Sequence, residues 1–218
     1  MQKKIVAFIP IKMSSQRLPR KNILPLGGKP LCCHLFDTLV EVKGIDEKYV
    51  FCSDENIKKY MPIGLMFLKR NSELDGDNVR GLEIIESFIN AIDADIYILT
   101  HVTSPFMKRE SFEKAINIIL KGGYDSVFSA KKLQGYCWYQ SKPINYNPDD
   151  IVQTQYLEPL YIETGGFFIF KKEVFTKLGR RIGSNPYIYA TDEFENIDID
   201  TKDDFLLAET VADHIKGE

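Results

Sequence analysis

Three observations in this 218-residue sequence predict an α/β sandwich built on a mostly parallel sheet. Short apolar runs alternate with segments of helical periodicity. The first run, residues 5–10, is apolar without a break. The residues with chemical potential follow directly after the runs. An unbroken apolar run suits a strand covered on both faces, as in parallel sheets. A βαβα alternation puts helices on both faces and so gives three layers. Ligands of such sheets sit beyond the carboxyl ends of the strands.

In chain order, Pro30 opens a helix over 31–42, where Leu31, Leu35, Leu39 and Val42 recur at helical spacing. Residues 49–52 read as the second strand, ending at Ser53-Asp54, and 65–68 as the third. Over 79–92, Leu82, Ile85, Ile89 and Ile92 share a helical face. Residues 96–99 are strand-like, 110–120 repeat the helical pattern through Phe112, Ile116 and Ile119, and 126–130 form another strand. The alternation breaks near residue 131. Residues 131–163 are rich in aromatics, Pro and Asn, with Trp138, Tyr139, Tyr146, Tyr156 and Tyr161, and read as a small β-rich excursion from the sheet. Such rings suit a homodimer surface, the alternative being a lid packed on its own domain. The sheet resumes at 166–170 and 196–200, and a helix over 202–216, N-capped by Thr201, closes the chain.

Hydrophobic content of 44% and charged content of 27% are those of a globular protein. A net charge of −3 without a long basic run argues against nucleic acid as a partner. No apolar stretch approaches the roughly 18–20 residues of a membrane helix. The opening MQKKIVAFIPIK runs into a charged segment, as a first strand does and a secretory signal does not. The expected location is cytoplasmic, with no membrane partner. Cys32, Cys33, Cys52 and Cys137 fit no zinc spacing and read as reduced, buried thiols.

After the first strand comes Pro10-Ile11-Lys12-Met13-Ser14-Ser15-Gln16-Arg17-Leu18-Pro19-Arg20-Lys21-Asn22. Lys12, Arg17, Arg20 and Lys21 fall within ten residues of a net-acidic chain. With two serine hydroxyls and the N–H groups of a loop, they make a suitable cradle for a polyphosphate. The spacing is not that of a Walker loop. Asp198 and Asp200 lie two apart in an expected strand and so share a face. Adjacent carboxylates repel unless a cation sits between them, and hard oxygen ligands suit Mg²⁺. The same acids would equally serve as dipole partners of the last helix.

The basic loop, followed by Pro25-Leu26-Gly27-Gly28-Lys29-Pro30-Leu31, Ser53-Asp54, Thr103-Ser104-Pro105, Gly165-Gly166-Phe167-Phe168 and Asp198-Ile199-Asp200-Thr201, resembles the landmarks of the CMP-sugar synthetases. These are cytidylyltransferases for sialic acid and related nonulosonic acids, with the Kdo enzymes as cousins. The landmarks come in the family's order and span nearly the whole chain. The resemblance implies a Rossmann-like three-layer sandwich, one nucleotidyltransferase domain over 1–218, with 131–163 as its inserted dimerisation or lid segment. It implies transfer of CMP from CTP to the anomeric hydroxyl of an acidic keto-sugar of sialic, legionaminic or pseudaminic type, with release of pyrophosphate, in the synthesis of a surface polysaccharide or glycan.

The resemblance also assigns residues. Lys21, Asp198 and Asp200 carry catalysis, the two aspartates holding Mg²⁺. Lys12, Ser14, Ser15, Gln16 and Arg17 meet the triphosphate, and Asn22 the nucleotide. Arg70 and Arg80 reach nucleotide or phosphate, or are ordinary surface arginines. His101, Thr103, Ser104, Thr164 and Gly165 line the sugar side. Three departures from the family pattern stand out: Lys12 for arginine, Ser14-Ser15-Gln16 for Gly/Asn-Ser-Lys, and His101-Val102 for Gln-Pro. The loss of a lysine at Gln16 keeps a non-catalytic nucleotide-binding paralogue open beside a Kdo-type or other sugar nucleotidyltransferase. The late position of Asp-x-Asp sets the chain apart from glycosyltransferases, which carry that pair mid-chain.

Overall fold

The computed structural model describes residues 3–217 other than Gln16. In chain order the strands are β1 (Ile5–Ile11), β2 (Pro25–Leu26), β3 (Lys29–Pro30), β4 (Glu47–Cys52), β5 (Met66–Lys69), β6 (Ile96–Leu99), β7 (Ser126–Leu133), β8 (Trp138–Tyr139), β9 (Lys142–Pro143), β10 (Leu160–Lys171) and β11 (Pro186–Ala190). The helices are α1 (Leu31–Glu41), α2 (Gly81–Ala91), α3 (Arg109–Lys121), α4 (Lys172–Leu178) and α5 (Lys202–Gly217). Seven strands make the main sheet in the order β11-β7-β10-β6-β1-β4-β5. All neighbours are parallel except β10, which runs antiparallel to both β6 and β7.

β1 is central because its sequence is apolar on both sides. Ile5, Ala7, Ile9 and Ile11 face a core built with Leu35 and Leu39 of α1 and Phe112 and Ile116 of α3. Val6 and Phe8 face the opposite core, built with Ile85, Phe88 and Ile89 of α2 and Val174 of α4. There Phe8 stacks on Phe88 with ring centroids 4.1 Å apart. A third cluster joins Leu26, Leu31 and Ile199 to Ala208 and Ala212 of α5. Thr201 caps α5 as expected: Asp204 N donates to Thr201 Oγ1 (3.3 Å), and Thr201 N donates back to Asp204 Oδ2 (2.7 Å).

The three-layer sandwich is therefore observed, with two corrections of detail. Residues 196–200 are not a strand; 193–196 turn, and 197–200 follow without joining the sheet. The outer strand is β11, a half-exposed segment led by Pro186, whose missing N–H is tolerated at the start of an edge strand. The excursion at 131–163 begins and ends in the main sheet, because β7 runs to Leu133 and pairs there with Leu160 of β10. Between them lies an arm holding the short β8–β9 hairpin, with Trp138, Tyr139 and Tyr156 exposed.

The antiparallel course of β10 brings Gly165 and Gly166 to the carboxyl ends of the parallel strands, where its pairing with β7 is irregular between Glu163 and Phe168. Gly166 is required by crowding: a Cβ there would lie 2.6 Å from Met107 Sδ and 2.9 Å from Ser129 Oγ. Beyond α4, the turn 183–185 wraps around Asp125, whose Oδ2 accepts from Ser184 N (2.7 Å) and Asn185 N (3.0 Å). Burial works against the Asp125 carboxylate, but these N–H donors and Ser126 prevail and hold its pKa below the ordinary 3.8. The unfolded chain thus takes up the proton first, so the stabilisation is complete above the unfolded value and is lost as pH falls through the folded one. Asp125→Asn is expected to lower stability by about 1–2 kcal/mol at neutral pH. In urea unfolding the gap from wild type should close in strong acid; a gap that stays constant into acid would contradict this account of the turn.

Candidate active site

The segment after β1 folds back over the carboxyl edge of the sheet and ends in a single 3-10 turn at Lys21–Ile23. Lys21 and Asn22 are both buried, which is rare for lysine without a partner. Lys21 Nζ donates to the Ile199 carbonyl (2.7 Å) and to Asp200 Oδ1 (3.0 Å). Asn22 Nδ2 donates to the Lys12 carbonyl (2.7 Å), so Asn22 braces the loop. Arg17 Nη2 reaches Asp200 Oδ2 at 3.0 Å, and Lys12 Nζ reaches Asp77 Oδ1 at 2.9 Å. Lys12, Ser14, Ser15, Lys21, Asn22, His101 and Thr103 line one cleft of about 210 Å³, together with Pro10 and Val102. Gln16 lies outside the described residues.

The two aspartates do not owe their placement to a strand. Ile199 between them is buried under α5, its N–H donating to the Thr103 carbonyl at 2.8 Å. Asp200 turns to Lys21 and Arg17. Burial opposes its charge, yet Lys21 and then Arg17 outweigh this and hold its pKa below the ordinary carboxylate value. Asp198 is exposed and takes no hydrogen bond or ion pair among the described residues. Its oxygens lie 3.4 and 3.5 Å from where a Cβ on Gly165 would stand, and the buried, unpartnered Ser104 Oγ lies 3.2 Å from the same point. A Cβ here would touch both side chains and press on the Ser104 hydroxyl.

The donor set suits a hard cation shared with a substrate. Among the described residues no group of three or more His, Cys, Asp or Glu side chains converges. Mg²⁺ held by one or two carboxylates plus waters and phosphates needs no such group. The free oxygens of Asp198 meet that requirement, while those of Asp200 are engaged by cations.

His101 follows β6 at the edge of the cleft. Its Nδ1 stands 3.0 Å from the Gly165 carbonyl, which can only accept, so the proton sits on Nδ1 and the Nε2 lone pair remains. Burial is the main cause of a lowered pKa, with the Gly165 contact opposing it; Arg181 and Lys21 also lower it and Asp198 raises it. His101 is neutral at pH 7 on this account. Thr164 Oγ1 donates to Ser129 Oγ (2.8 Å) and fixes the irregularity in β10.

The two arginines part ways: Arg80 is a surface arginine, and Arg70 is buried. Arg70 is sealed in the fold: its side chain is 1% exposed, ion-paired with Asp75, and donates from Nη2 to the Ile11 carbonyl (2.9 Å). It locks the end of β1 to the 72–75 turn, where Ser53 also donates to Asp75. Arg80 caps the start of α2 beside Glu83 (3.0 Å) and lines a separate hollow between α2 and α4, away from Lys21. Sequence reading passed over Asp75, Asp77 and Arg181. All three sit in aperiodic turns, where their only signal was charge next to a strand or helix end.

The fold and site together define an α/β protein with a cleft lined by cationic side chains at the carboxyl edge of its sheet. Residues 6–210 match the cytidylyltransferase family model, and the chain belongs to that family. It is 28% identical over 215 residues to an N-acylneuraminate cytidylyltransferase of Streptococcus agalactiae, covering 93% of this chain and 52% of that protein. It is likewise 28% identical over 215 residues to N-acylneuraminate cytidylyltransferase A of Danio rerio, covering 94% and 50%. The chain thus spans about half the length of these curated relatives. A solved CMP:2-keto-3-deoxy-manno-octonic acid synthetase in complex with CTP superposes with a TM-score of 0.71 over 98% of this chain and 99% of its own. At 16% identity that match bears on the fold. No helix among the described residues is long and apolar enough to cross a membrane.

Arg70→Met leaves the Asp75 carboxylate without its buried counter-charge and is expected to cost about 3 kcal/mol in chemical denaturation. Unchanged stability would contradict the locking role.

Proposed function

We propose that the chain is a cytidylyltransferase that joins CMP from CTP to the anomeric hydroxyl of an acidic nonulosonic sugar, of sialic, legionaminic or pseudaminic type. The observation that carries this is Lys21: a buried ammonium, fixed by a carbonyl and a carboxylate, in a cleft lined by Lys12 and two serines. The hydroxyl oxygen attacks the α-phosphorus, the bond to the β-phosphate oxygen breaks, and pyrophosphate leaves. Such transfers depend on positioning and charge neutralisation.

Lys21 faces the charge that builds on the α-phosphate oxygens. Lys12 and Arg17 hold exchangeable acidic partners, Asp77 and Asp200, which phosphate oxygens replace. Ser14 and Ser15 add donors at the cleft. Asp198 would hold Mg²⁺, joined by Asp200 once Arg17 turns to phosphate, and the ion when bound would neutralise phosphate charge. Asp198, with its oxygens free, supports this assignment. His101 Nε2 offers a neutral acceptor to a sugar hydroxyl on the other side of Gly165. The names of the relatives support CTP and a sialic-type acid as substrates, while the octonic acid synthetase keeps an eight-carbon acid as the second reading. The exposed rings of the arm suit the homodimer expected from sequence; a solution mass of one chain, 25.1 kDa, would contradict it. A cytoplasmic setting agrees with these substrates.

The test is pyrophosphate release with Mg²⁺ and each of CTP, UTP, ATP and GTP, against N-acetylneuraminic acid, other nonulosonic acids and Kdo. Release is expected with CTP and a nine-carbon acid, and Lys21→Met should lower kcat by about 10²–10³-fold. Saturable CTP binding with no release from any pair would favour the non-catalytic reading.

A further inference from the structure

We infer that Arg181 receives the carboxylate of the sugar acid, so that the site carries a second cationic pole opposite the phosphate loop. The inference deepens the reading above and rests on it.

Arg181 lies in the turn between α4 and β11. Its guanidinium carbon stands 3.6 Å from the centroid of Phe168, a cation–π contact against a buried ring. The contact holds the side chain without using its N–H donors. Among the described residues its one polar partner is Glu163, at a long 3.4 Å from Nη2. Glu163 is itself half exposed. Burial lowers the Arg181 pKa, with Glu163 opposing. A partly desolvated cation with so weak a counter-charge is matched to an incoming anion.

Its surroundings say which anion. Arg181 and Lys21 both act on the His101 ring, which lies within the electrostatic reach of each. Lys21 belongs to the phosphate cleft; Arg181 is not among the residues lining it. The His101 ring also bonds to the Gly165 carbonyl, and Arg181 bonds to Glu163, one residue before Thr164 on the same strand. An acceptor bearing one hydroxyl for transfer and one carboxylate matches these two cations in kind. A neutral sugar would leave Arg181 with only Glu163. The carboxylate of the acid is planar and takes the guanidinium fork in two parallel bonds.

The turn that carries Arg181 is also rigid. Gly183 N donates to Ser126 Oγ at 2.8 Å, and a Cβ on Gly183 would fall 2.0 Å from Asp125 Oδ1. With Ser184 and Asn185 bonded to the same carboxylate, the turn clasps Asp125 closely. An arginine held on such a base loses little freedom on binding.

The experiment compares the full chain with Arg181→Met and Arg181→Lys by pyrophosphate release, varying N-acetylneuraminic acid and Kdo at saturating CTP and then CTP at saturating acid. In the Met variant the KM for the sugar acid should rise about 10- to 100-fold, the loss of a charge-assisted pair. The KM for CTP should stay within about twofold, because no phosphate contact is removed. The Lys variant should recover part of the loss by charge alone, and it keeps the test open if the Met variant does not fold. An unchanged KM for the acid, or an equal rise for CTP, overturns the inference while the proposed reaction stands. No turnover by wild type with these two or any other nonulosonic acid removes the proposed reaction, and the inference with it.

Discussion

The site depends on one interaction, the buried ammonium of Lys21 held between the Ile199 carbonyl and the Asp200 carboxylate. It ties the loop after the first strand to the segment before the last helix, across 178 and 179 residues of sequence. A lysine taken out of water is costly unless such partners are present. Its presence fixes much else. With Asp200 held on one side, Ile199 enters the cluster under α5, and Asp198 comes to rest over Gly165 with its oxygens uncommitted. The cationic loop and the acid that would bind a metal are therefore placed by the same contact.

A net-acidic chain that is to bind a triphosphate, as proposed, must gather its cations without letting them repel one another. Here each of these cations has an acidic partner: Asp77 for Lys12, and Asp200 shared by Lys21 and Arg17. These partners are partly exposed, so phosphate can exchange with them at small cost. Arg70 beneath is a different kind of pair, sealed against Asp75 and structural. The hollow between α2 and α4 is larger, about 550 Å³, but Glu83 and Glu86 line it and Arg80 is already paired with Glu83. A triphosphate is repelled there. Charge, more than volume, favours the Lys21 cleft for the proposed reaction.

The central part of the fold was legible in the sequence because it is periodic. β1, β4, β6 and the helices α1, α2 and α3 bury whole faces, and their apolar spacing shows it. β11 and α4 were not seen; both are short, and β11 is an edge strand whose exposure weakens its pattern. Residues 196–200 looked like a strand because Ile197 and Ile199 alternate with aspartates, but those isoleucines face α5 and no ladder partner lies beside them. Lys12, Lys21, Asp198, Asp200 and His101 stand out in the sequence by type, position and family resemblance, and the structure brings Lys12, Lys21 and His101 to one cleft with Asp200 on Lys21. That Arg70 is sealed and Arg181 is half-buried over Phe168 depends on contacts distant in sequence, which spacing does not encode. Gly165 and Gly166 were legible as a landmark, while their physical reason, the approach of Asp198, Ser104, Met107 and Ser129, exists only in three dimensions.

The central claim is that the triphosphate occupies the Lys21 cleft at the carboxyl edge of the sheet. Amide hydrogen exchange with and without CTP and Mg²⁺ tests it most directly. The account predicts added protection in residues 12–22, 101–104 and 198–200, with little change in α2 and α4. Protection confined to the α2–α4 hollow, with the loop after β1 unaffected, would contradict it.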